Sequence, residues 1–72
     1  NVRVKDKSLY AGNAAIQEAV AAAEAALGEN GRILVRPSGT EALIRVMAEG
    51  PEIGEIERHV EAVAAVIREQ IG

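Results

Sequence analysis

The chain has no cysteine, no phenylalanine and no tryptophan, and only one tyrosine, one histidine and one methionine in 72 residues. Without cysteine there is no disulfide to staple a small domain, no thiolate metal site and no thiol nucleophile. A lone histidine, His59, excludes a multi-histidine metal site built by this chain alone. No apolar run approaches the ~20 residues needed to cross a bilayer, and no signal-like apolar segment opens the chain. These absences fit a cytoplasmic setting and no membrane partner. Cations are outnumbered, eight Lys and Arg against eleven Asp and Glu, for a net charge of −3. Nucleic-acid binding runs on clustered cations, so nucleic acid is not an expected partner. With aromatics at 1%, the core has to be aliphatic and thin.

What is present suffices for one small folded domain. Hydrophobic residues make up 49% and charged residues 26%, ordinary for a globular chain, although fourteen of the apolar residues are alanine. A domain of this size buries only roughly 60% of its unfolded surface, and there is no room for a second. A start at Asn1 without methionine is what a piece of something longer is expected to show.

Asn1 to Lys5 alternates apolar and polar, a short strand signature. Asp6 to Gly12 is polar and glycine-containing and reads as a connection. Asn13 offers an N-cap to an alanine-rich helix with Ile16, Val20, Ala23 and Leu27 at helical spacing. Gly28 and Gly31 supply its stop. The β-branched run from Gly31 to Arg36 ends at Pro37, and a second run spans Ala42 to Glu49. Ile44, Val46 and Ala48 face one way along it, while Leu43, Arg45, Met47 and Glu49 face the other. A short glycine-containing link makes the two an antiparallel hairpin. Gly50-Pro51 breaks the strand, with proline placed for a helix start. Ile53, Ile56, Val60, Val63, Ile67 and Ile71 then form the stripe of a long amphipathic helix. The expected fold is α+β, a two-layer β-α-β-β-α domain with two helices on one face of a small sheet. Were the first strand to pair parallel with the second, the helix between them would cross over right-handed.

One segment stands out for chemistry: Arg36-Pro37-Ser38-Gly39-Thr40-Glu41, with Arg45 four residues on. Two hydroxyls, a glycine that lets backbone amides come close and a planar guanidinium suit an anion. The alternative is a plain hairpin turn in which Ser38 and Thr40 bond their own backbone and Arg36 is solvated. Other features read as structural. The glutamates Glu52, Glu55, Glu57 and Glu61 spread over several helix faces as a solvated surface, and His59 has no evident catalytic partner. Met47 reads as packing. Arg3, Lys5 and Lys7 are either a small basic patch or the edge of a strand. No Walker loop, dinucleotide fingerprint or zinc spacing is present.

Taken at full length, Gly31 to Glu41 followed by Leu43-Ile44-Arg45-Val46-Met47 and Glu49-Gly50 resembles the C-terminal domain of the α-D-phosphohexomutases. The likeness extends upstream through Asn1 to Val4 and Glu24 to Gly28, and downstream into the last helix, so it covers essentially residues 1–72. One departure is Ala42, where the family usually has proline. It removes no phosphate-binding group.

The resemblance implies that this domain grips the substrate phosphate that is not being transferred. Arg36, Ser38, Gly39 and Thr40 would form the clamp, with Arg45 either joining them or pairing with Glu41 or Glu49. It also implies other domains of the same chain as partners. One would carry a phosphoserine that exchanges phosphate with the sugar, and aspartates of another would hold Mg2+. None of those groups has a counterpart here, so the fragment alone would be inactive. Within the family the likeness leans to the branch that takes a phosphorylated hexosamine, interconverting glucosamine 6-phosphate and glucosamine 1-phosphate. The rivals are a member acting on another hexose phosphate, and a small non-enzymatic α+β interaction module.

Overall fold

A computed structural model of the chain describes residues 1–72. Its elements run β1 (Val2–Arg3), α1 (Ala14–Leu27), β2 (Arg32–Pro37), β3 (Leu43–Glu49) and α2 (Ile53–Ile71), with 3-10 turns at Lys7–Leu9 and Gly28–Asn30. The α+β class, the strand–helix–strand–strand–helix order and the β2–β3 hairpin agree with the sequence pattern.

The sheet order is β1-β3-β2, with β3 antiparallel to both neighbours. A parallel β1–β2 pair does not form, because β3 lies between them. Val2 stands opposite Ile44, and the Val4 amide donates to the Ala42 carbonyl at 3.0 Å, so the chain start is zipped onto β3. The Lys5 amide then donates to the Ile71 carbonyl at 2.8 Å, tying the same segment to the end of α2. The central place falls to the longest strand, whose apolar face is covered best there.

Helix α1 begins where Asn13 accepts a hydrogen bond from the Ile16 amide at 3.0 Å, satisfying an otherwise orphan donor. It ends at Gly28, whose φ of 64° lies in the left-handed region open to glycine at little cost. The Asp6–Gly12 connection contains a turn that the sequence reading lacked. Asp6 accepts from the Ser8 amide at 3.0 Å and the Ser8 hydroxyl at 2.6 Å, and this local cap folds Lys7–Leu9 into a 3-10 helix. At Gly50 a side chain would bring Cβ to 3.0 Å from Ile56 Cδ1, so the β3–α2 corner is packed closely around this glycine and Ile56 would have to shift to admit a larger residue.

The core is wholly aliphatic. Ile16, Ile44, Val63 and Ile67 are its most enclosed side chains, and Val2, Val4 and Ile33 join them from the sheet. Both helices lie on the face bearing Ile33, Ile44 and Val46. The α2 stripe needs one correction, since Ile53 is 71% exposed. It occupies the first helical position, and burial is concentrated instead at Val63, Ala64, Ile67 and Ile71. The opposite sheet face is open except at Leu43, which is buried. On that face Leu34 stands directly across from Met47, and both are exposed, so Met47 is not core packing.

Candidate functional site

The β2–β3 hairpin presents the Arg36–Glu41 segment at one end of the sheet. Arg36 and Arg45 are direct cross-strand partners in the antiparallel ladder. Direct opposition places both side chains on the open face, where both residues are exposed. Like charges set directly opposite destabilise a sheet. Nothing in the chain relieves this pair, because neither guanidinium lies within 4.0 Å of a carboxylate. Glu49 is occupied by Arg32, whose Nε approaches it at 2.9 Å, and Glu41 makes no ion pair. Arg45 therefore pairs with neither of the glutamates that compete for it on paper.

Ser38 is the only buried polar residue of the domain. Its backbone amide donates to the Leu43 carbonyl at 2.9 Å and closes the hairpin. Its Oγ accepts from the amides of Thr40 at 3.4 Å and Glu41 at 3.3 Å. The turn reading thus holds for Ser38, which bonds its own loop. Both contacts exceed the usual 2.9–3.0 Å or so for N–H to O, and the hydroxyl proton is uncommitted. The Thr40 hydroxyl and the Gly39 amide make no hydrogen bond within the chain. At Gly39 a Cβ would meet nothing within 4 Å, so nothing inside the chain demands glycine there.

Lys7 joins this group from 31 residues away, its Nζ donating to the Ser38 carbonyl at 2.6 Å. Sequence reasoning grouped Lys7 with Arg3 and Lys5 and missed this role. No local pattern signals a contact made across the β1–α1 connection.

The remaining candidates stay apart from the loop. His59 Nε2 sits 3.7 Å from Glu55 Oε1 one turn earlier on α2, and both residues are half-buried. No three His, Asp or Glu side chains come together as metal ligands. The Mg2+ that the resemblance implies therefore finds no ligand set among these residues. No helix is long and apolar enough to cross a membrane. The concave surfaces lie elsewhere, for example a groove of about 220 Å³ between Leu27–Gly31 and Gly50–Ile56. None includes Arg36, Arg45 or the Ser38–Glu41 loop. A ligand held there needs a second surface to enclose it.

Residues 1–66 match the phosphoglucomutase/phosphomannomutase C-terminal domain. The chain belongs to this family. Among similar proteins, phosphoglucosamine mutase of Deinococcus radiodurans is 57% identical over 70 residues, covering 97% of this chain. The enzymes of the same name from Brevibacillus brevis and Paenarthrobacter aurescens are each 51% identical, over 71 and 72 residues, covering 99% and 100% of it. The chain spans 16% of the length of each of these three relatives. This phosphohexomutase domain thus accounts for a small part of such a protein. Its Arg36–Glu41 loop and Arg45 both lie within the matched residues.

Proposed function

We propose that this domain grips the non-reacting phosphate of a hexosamine phosphate, within a longer protein that interconverts glucosamine 6-phosphate and glucosamine 1-phosphate. The observation that carries the reading is the Arg36–Arg45 pair, two guanidiniums opposite each other with no counter-ion from the chain. A phosphate dianion supplies the missing charge and matches their planar, two-pronged donors. Beside them the Gly39 amide, the Ser38 hydroxyl proton and the Thr40 hydroxyl have donors to offer. Gly39 leaves room for close approach. The names of the relatives support the glucosamine substrate, while the breadth of the matched family keeps phosphomannose and phosphoglucose as the second reading.

In such an enzyme, binding energy from a phosphate remote from the chemistry positions the reacting end. The open, unenclosed form of this site suits a domain that closes over substrate held by another part of the chain. Closure also excludes water, which would otherwise hydrolyse a phosphoenzyme. A magnesium ion and a phosphoryl-carrying serine belong, on this reading, to the rest of the protein. No chemical step is assigned to these residues.

A titration with inorganic phosphate tests the reading on this chain directly. One side of a cleft should bind at the millimolar level, roughly −4 kcal/mol. Amide shifts should cluster at residues 36–40 and at Arg45. Shifts spread over α1 and α2 with the loop silent would refute it, and the purified chain should show no turnover of hexose phosphates.

A further inference from the structure

We infer that Lys7 is a positioning residue for the anion loop: its ammonium holds the Ser38–Gly39 peptide so that the Gly39 N–H is aimed at the phosphate. The inference rests on the phosphate-grip reading and adds a residue outside the loop. Lys7 Nζ donates to the Ser38 carbonyl at 2.6 Å, slightly shorter than the roughly 2.7–2.9 Å usual for charge-assisted N–H donors. The chain contains no cis peptide bond. In a planar trans peptide the carbonyl and the following N–H point in opposite directions. Anchoring the Ser38 carbonyl on Lys7 therefore turns the Gly39 N–H away from Lys7. That N–H has no acceptor in the chain, and it belongs to an exposed residue with open space around its Cα.

Lys7 is itself held. It is half-buried, begins the Lys7–Leu9 turn and follows the Asp6 cap, so the ammonium reaches the loop from a short, locally braced element. No carboxylate lies within 4.0 Å of it. Its full charge acts on the Ser38 carbonyl, which polarises that peptide and strengthens the Gly39 N–H as a donor. Neither Arg36 nor Arg45 can do this, since both approach from the sheet face and make no hydrogen bond to the loop backbone.

The test is a titration of this chain and three variants with inorganic phosphate, followed through backbone amide and arginine Nε signals. Lys7→Met keeps the aliphatic stem and removes the donor. It should weaken phosphate binding by about fivefold to tenfold and, because the buried Ser38 carbonyl loses its donor, lower the melting temperature modestly. The Gly39 amide shift at saturation should be lost while the Arg36 and Arg45 signals still respond. Lys7→Arg retains a donor and should lie closer to the unaltered chain than Lys7→Met does. Wild-type affinity and an intact Gly39 shift in Lys7→Met, with binding weakened in Arg36→Ala, would overturn the Lys7 role and leave the phosphate grip standing. Undiminished binding by Arg36→Ala, or no response at residues 36–45 in the unaltered chain, would overturn the grip and the Lys7 role together.

Discussion

Arg36 combines two properties at the scale of a single residue: it is exposed, and it faces another arginine across the ladder. Like charges set directly opposite disfavour a strand pair, so the fold itself gives no reason for this arginine, and the proposed phosphate does. In the longer protein, Arg36→Ala should lower kcat/KM for the sugar phosphate roughly tenfold to a hundredfold, since hydrogen bonds to charged groups contribute about 1.5–3 kcal/mol. Arg36→Lys should recover only part of this, because a point charge lacks the two-pronged geometry. The melting temperature of either variant should be unchanged or slightly higher. A large fall in melting temperature with intact kcat/KM would make Arg36 a structural residue. Ser38 is different in kind. Its Oγ is engaged by the Thr40 and Glu41 amides, so its first service is to shape the loop.

Among the elements, the Lys7–Leu9 turn is the one most dependent on a titratable group. The hydrogen bonds from the Ser8 hydroxyl and amide favour the charged carboxylate and hold the Asp6 pKa below its ordinary 3.8. A folded pKa below the unfolded one means stabilisation that is present above the unfolded value and lost as pH falls through the folded one. The stability gap between the unaltered chain and Asp6→Ala should therefore be constant near neutrality and close below about pH 4. Thermal unfolding as a function of pH reads this directly; a gap that widened in acid would contradict the cap. The helices were the most legible elements. Asn13, Gly28 and the 3.6-residue stripes are local signals, and caps act within one turn. Ile53 shows the limit of that logic. A stripe states which residues share a face but not how far along the helix the sheet extends beneath it.

For the whole molecule, the aliphatic core and the proposed phosphate grip occupy different parts of one sheet. The helix-covered face holds the aliphatic core, and the open face carries Arg36, Arg45, Leu34 and Met47. Val63 is 1% exposed, and Val63→Ala removes two methyl groups and leaves a cavity, a loss of about 2–3 kcal/mol. In a domain whose total stability is of order 5 kcal/mol, that should lower the denaturation midpoint substantially. Phosphate affinity of the fraction still folded should be unaltered, because Val63 belongs to the helix-side core and is not part of the loop. Loss of affinity without loss of stability would break this separation of faces.

The amino-acid sequence alone determined the α+β class, both helices, the hairpin and the loop that bears Arg36, Ser38, Gly39 and Thr40. Each of these rests on residues close together in the chain, where periodicity, caps and turn chemistry operate. Only the tertiary structure decided the strand order, with β3 in the middle, because the place of β1 depends on pairing across some 40 residues (Val2 with Ile44). It also decided that Arg45 ignores Glu41 and Glu49, since Arg32 reaches Glu49 across the ladder. The same holds for the Lys7 ammonium on the Ser38 carbonyl. Such contacts depend on where packing places two distant backbones, and no local pattern encodes that.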